Sequence, residues 1–109
     1  MDLKKLSENL GMDEEEYVEM LQLFFESGGA DLENLEAAIK EGDIEKAHRA
    51  SHSLKGSSGS LGLEKLFEMA VAIDDKNRQG ILDGLDEMVK ELRQEFELLI
   101  STIEKNSSG

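Results

Sequence analysis

Apolar residues recur at spacings of three and four along nearly the whole chain, and proline is absent. That period matches the 3.6-residue helical turn and not the two-residue alternation of a strand, so the expected regular structure is helix alone. A short helix is expected over about Leu3 to Leu10, ended by Gly11. A longer one, about Asp13 to Glu41, sets Tyr17, Leu21, Phe24, Gly28, Leu32, Leu35 and Ile39 on one stripe. The phase runs on through Gly28-Gly29, which predicts one long helix with a weak point. Gly42-Asp43 supplies a C-terminal stop followed by an N-cap. A third helix, Asp43 to about Gly59, carries Ile44, Ala47, Ser51, Leu54 and Ser58 inward, with Leu61 just beyond. A fourth, Leu63 to about Asn77, turns Leu63, Leu66, Phe67, Ala70 and Ile73 inward. The last, about Leu82 to Glu104, has the heptad Leu82, Leu85, Val89, Leu92, Phe96, Leu99, Ile103. Short connections between long amphipathic helices favour antiparallel neighbours. The expected fold is all-α, an antiparallel up-and-down four-helix bundle with a short extra N-terminal helix. One domain, residues 1–109, is expected, with its core at about 13–104 and a frayed tail from Asn106 to Gly109.

A chain of 109 residues can bury a sufficient core without metal or disulfide, and it has no cysteine for either disulfide or thiolate chemistry. No apolar run reaches the roughly 18 residues of a membrane span, and the charged N-terminus lacks a signal-peptide core, so a cytoplasmic protein is expected. The net charge of −13, from 25 acidic and 12 basic residues, repels phosphate backbones and anionic lipid. Nucleic acid and membrane surfaces are therefore excluded as expected partners. The acid is uneven. Between Lys46 and Leu63 there is no Asp or Glu, while Lys46, Arg49 and Lys55 are basic, which reads as a locally positive island.

Within that island lies Ser51-His52-Ser53-Leu54-Lys55-Gly56-Ser57-Ser58-Gly59-Ser60-Leu61-Gly62. At 100° per residue, His52 falls roughly 130° from the centre of the third helix's apolar stripe, so its ring points away from the core. Gly56 and Gly59 lie within about 40° of it, with His48 and Lys55 flanking on the core-ward side. Glycine in a helix interior costs about 1 kcal/mol relative to alanine. Two together suggest a surface kept flat for a partner, with His48, Arg49 and Gly59 as candidate contacts. Neutral imidazole is a good nucleophile, and phosphoryl transfer needs little beyond positioning and charge neutralisation. Lys55 could steady a phosphoryl group, and Gly56 would let a partner's site close over the ring. Asp74, in phase with Leu63, Phe67 and Ala70, is a boundary carboxylate in need of a partner. A hydrogen bond from His52 would satisfy it and fix the tautomer; turning to solvent is the alternative.

The string from His52 to Gly62 resembles the signature of histidine-containing phosphotransfer (HPt) domains of two-component phosphorelays, and the similarity extends over nearly the whole chain. The resemblance implies that His52 is the phospho-acceptor, that Lys55 is phosphate-neighbouring, and that Gly56 permits close approach. It places Asp74 where the next helix contacts the ring. Many members carry a neutral or amide side chain there, whereas the related domains of chemotaxis kinases carry an acid. The implied partners are a response-regulator receiver domain, a sensor histidine kinase, or both, with the phosphoryl group accepted from a phospho-aspartate and passed to another.

Such a carrier does not make the group it transfers, and neither a P-loop nor a nucleotide-binding βα unit is present to hold ATP. No cofactor is expected on this chain, and Mg²⁺ is expected from the partner receiver. A Zn²⁺ site on His48 and His52, four apart, is a competing reading, but the residues between them lack the glutamate of His-Glu-x-x-His. A non-catalytic helical adaptor, binding a receiver or kinase through the glycine-rich face, is the other alternative. The four apolar stripes can satisfy one another in one chain, so a monomer is expected. The initial Met and the frayed C-terminus favour a stand-alone carrier over a fragment of a hybrid kinase.

Overall fold

The computed structural model describes residues 2–107, the side chains of Asn106 and Ser107 excepted. Five helices follow in order: α1 Leu3–Asn9, α2 Glu14–Glu41, α3 Ile44–Ser60, α4 Glu64–Arg78 and α5 Leu85–Ser107; no strand occurs among the described residues. Their starts are chemically marked. Asp2 accepts from Lys5 N, and Asp43 accepts from Lys46 N. Asp13 and Glu16 form a reciprocal capping box, so two otherwise orphaned backbone donors are satisfied at once. Gly42 ends α2 at φ +71°, and Gly62 separates α3 from α4 at φ +72°, a conformation a side chain rarely adopts. Helix α5 runs past the expected end at Glu104 to Ser107; residues 108 and 109 of the tail expected to fray lie outside the described residues.

Contacts join α2 to α3, α3 to α4 and α4 to α5, and α5 returns to α2, while α1 packs on α2. The buried stripes meet in one cluster that includes Tyr17, Leu21, Leu32, Leu35, Leu54, Leu66, Ile73, Leu85, Leu92 and Ile103. The Tyr17 hydroxyl donates to the Leu61 carbonyl just beyond α3, and burial raises its pKa. Arg93 of α5 forms a two-pronged hydrogen bond to Glu36 of α2, at 3.1 and 2.6 Å. Two residues depart from the expected inward set. Leu82 lies in the turn before α5 and is exposed. Phe67 is 38 % exposed: it sits at the edge of the buried α4 face of Leu66, Ala70, Ile73, Asp74 and Asn77, with its ring against Gly59.

The glycine pair in α2 does not break the helix, which is continuous over 28 residues. A Cβ on Gly28 would sit 3.1 Å from Phe96 and 3.2 Å from Phe24, whereas one on Gly29 would meet Phe96 only at 3.9 Å. Gly28 is therefore a notch for the edge-to-face pair Phe24–Phe96, with centroids 5.7 Å apart. Gly28→Val should lower stability by about 1–3 kcal/mol through overpacking, while Gly29→Ala should raise it by up to about 1 kcal/mol through helix propensity. Urea unfolding of both variants checks this; equal effects of the same sign would contradict the notch.

Candidate functional site

The site is built on the outer face of α3 and on the seam between α3 and α4. His52 is exposed and its side chain makes no hydrogen bond or ion pair with any other described residue; its ring centroid lies 5.9 Å from that of His48. One turn on, Gly56 is exposed, and a Cβ there would meet nothing within 4 Å. No packing demand accounts for glycine at this position. Gly59 differs. Its Cβ would come within 3.0 Å of the Phe67 ring, so this glycine, although exposed, is where the two helices close on each other. Its expected role as a partner contact is thus accompanied by a packing role that the helical wheel did not show.

Asp74 has 0 % exposure, and its contacts differ from the expected one. Oδ2 accepts from Lys55 Nζ at 3.0 Å, and Oδ1 accepts from Ser51 Oγ at 3.2 Å. His48 Nδ1 also lies 2.9 Å from Oδ1, but off the direction in which a ring N–H would point, so this is a charge contact and not a directed hydrogen bond. No contact is made with His52. The reason is angular: Ser51, His48 and Lys55 lie on the flank of α3 that faces α4, whereas His52 points outward. Burial by itself would raise the Asp74 pKa. The hydrogen bond and charge of Lys55, then His48 and Ser51, outweigh it and hold the carboxyl below its ordinary range.

Ser51 and Asn77 complete this seam. Asn77 Nδ2 donates to Ser51 Oγ at 3.1 Å, and the one Ser51 proton is shared between Asp74 Oδ1 and the His48 carbonyl at 3.1 Å. Asn77 Oδ1 is buried without a hydrogen-bond partner among the described residues. Neither residue stood out in the sequence as polar machinery: Ser51 read as a core position and Asn77 as a helix end. Continuing the Ala70, Ile73, Asp74 face by one turn reaches Asn77, and that was the available signal.

The positive island is weaker than composition implies. Lys46 pairs with Glu41 at 3.4 Å and Lys55 with Asp74, which leaves the exposed Arg49 with no ion pair among the described residues. Among the described residues no group of three His, Cys, Asp or Glu is placed to hold a metal ion, and no helix is long and apolar enough to cross a membrane. On the other flank of α3, Ser53 donates to Asp31 of α2 at 2.6 Å. Beyond it, Ser57 and Ser60 border a groove of about 390 Å³ lined by Leu10, Met12, Met20 and Leu23.

A family model described as the Hpt domain matches residues 19–102, which takes in α3, α4 and most of α2 and α5. No curated protein and no solved structure matches the chain.

Because the folded pKa of Asp74 is lowered, its carboxylate stabilises the fold above the unfolded value of about 3.9 and loses that contribution as pH falls through the folded value. Asp74→Asn should cost about 1–3 kcal/mol near neutrality. The gap to wild type should narrow progressively below about pH 4. Urea midpoints from pH 7 down to 3 measure it; a gap independent of pH would contradict the ionised pair.

Proposed function

The chain belongs to the Hpt domain family, whose members carry phosphoryl groups in two-component systems, and we propose that His52 is the residue that carries it here. The observation that supports this reading is the contrast between two histidines one turn apart. His48 is drawn against Asp74, while His52 is exposed, with only open space above the neighbouring Gly56. A ring nitrogen of neutral His52 attacks the phosphorus of a receiver's aspartyl phosphate. A P–N bond forms as the P–O bond breaks, and the receiver carboxylate leaves with the electron pair. The return step delivers the group to a response-regulator aspartate. Lys55, one turn from His52, supplies positive charge near the added phosphoryl group.

The partner is a receiver domain or a sensor kinase, as it is for Hpt domains generally. The apolar rim of Leu10, Met20 and Leu23 beside Ser57 and Ser60 extends the proposed receiver-docking face past Gly56. The receiver brings the Mg²⁺, and the chain itself binds no cofactor. It is a carrier without kinase or ATPase activity, acting as a cytoplasmic monomer. One domain with its core at about 13–104, folded as an antiparallel up-and-down four-helix bundle with α1 as the extra helix, is the frame this reading supposes. The closed order of contacts α2–α3–α4–α5–α2 supports it.

Incubation with a phosphorylated receiver domain, followed by intact mass at alkaline pH, tests the proposal. Wild type and His48→Gln should gain one phosphoryl group and His52→Gln none. Gly56→Glu should fold normally yet lose transfer at least tenfold, since the added side chain meets a docking partner and nothing else. No gain from any receiver by the folded wild type would favour the adaptor reading, and unimpaired transfer by Gly56→Glu would place the docking face elsewhere.

A further inference from the structure

One buried carboxylate is shared by a lysine and a histidine. Asp74 lies 3.0 Å from Lys55 Nζ and 2.9 Å from His48 Nδ1. The two reach the seam from opposite sides of His52, His48 one turn before it and Lys55 one turn after. Both retain a route to solvent, with the side chains of Lys55 25 % and His48 41 % exposed, whereas that of Asp74 is buried. The carboxylate is thus the enclosed member, while Lys55 and His48 keep access to solvent. At 2.9 Å from Nδ1, the carboxylate would attract an added positive charge on the His48 ring even without a directed hydrogen bond.

A phosphoryl group on His52 would add up to two negative charges within reach of Lys55. Lys55 has three N–H donors but a single positive charge, so it cannot neutralise both the Asp74 carboxylate and a doubly charged phosphoryl group. A charge as buried as that of Asp74 cannot be left unpaired without a large desolvation cost.

We propose that Asp74 is a positioning residue that holds Lys55 beside His52 and, once His52 is phosphorylated, releases it to the phosphoryl group in exchange for protonated His48. This inference rests on the phosphocarrier reading of His52 and deepens it. The charge balance closes. Before transfer, Asp74 pairs with Lys55; after transfer, the phosphoryl group pairs with Lys55 and Asp74 with His48, which takes a proton from solvent. Phosphorylation of His52 is thereby coupled to proton uptake at His48. The other ionisable groups near His48 are few. On α3 they are Glu45, Arg49 and His52 itself. From α4 the contact is with Asp74, and the neighbouring Asn77 is uncharged. The acidic contacts α2 makes, Asp31 to Ser53 and Glu41 to Lys46, go to other residues of α3.

The test is an NMR titration of the ¹⁵N-labelled imidazoles before and after treatment with phosphoramidate, a small phosphoryl donor that needs no partner protein. Resonances are assigned with His48→Gln. In wild type the His48 midpoint should rise on phosphorylation of His52 by on the order of one pH unit. In Asp74→Asn the rise should be clearly smaller, because only the direct field of the phosphoryl group remains. In Lys55→Met the midpoint should already be raised before phosphorylation, which keeps the test decisive if Asp74→Asn folds poorly. An equal rise in wild type and Asp74→Asn would overturn the exchange, as would an unmoved midpoint in unphosphorylated Lys55→Met. If phosphohistidine forms and the wild-type His48 midpoint stays put, the exchange fails while the carrier reading stands. If no phosphohistidine forms on His52, both fall.

Discussion

Burying Asp74 between α3 and α4 commits the chain to a particular seam. An ionised carboxylate out of water costs several kcal/mol unless partners repay it. The partners here come from three successive turns of one helix: His48, Ser51 and Lys55. They can converge on Asp74 only if the flank of α3 that carries them faces α4, and that orientation turns His52 outward. An apolar residue at position 74 could stabilise the seam equally well, but it would not fix which side of α3 is wet. The exposure of the candidate phospho-acceptor is in this sense set from the inside of the protein.

Three helical glycines show how the same residue type answers different demands. At Gly28 a side chain would press on Phe96 and Phe24, and at Gly59 it would press on Phe67. Both are explained by packing, even though Gly59 lies on the outer face. Gly56 meets nothing, and helix propensity alone would favour almost any other residue there. Gly29 shares that freedom from crowding, but Gly56 lies one turn from the exposed His52, and there the proposed compensation is the approach of a partner. The proposed docking face is centred on His52 and Gly56, with Gly59 packed against Phe67 at its edge.

Helix positions were legible because each stretch repeats its stripe several times and its ends carry caps, such as Asp13 with Glu16 or Asp43 after Gly42. The outward placement of His52 was legible for the same reason: its angle from Leu54 and Ser58 needs only the helical period. Periodicity within one helix does not give the rotation of its neighbour, and the missed details all depend on that rotation. Phe67 lies beside the buried stripe of α4, Gly59 meets it, and Asp74 reaches the His48–Lys55 flank instead of the His52 ring. The pairing of Lys46 and Lys55 was hidden likewise, since a count of charges does not show which are already neutralised across a seam or a loop.

The central claim is that the outward, unengaged ring of His52, and not the mere presence of imidazole, selects it over His48, which is held against Asp74. Treating the wild-type protein with phosphoramidate and locating the added group by tandem mass spectrometry tests it most directly, because the two histidines fall on distinguishable fragments of one peptide. The structure predicts phosphate on His52 and none on His48. Phosphate divided between the two, or carried by His48 alone, would contradict it.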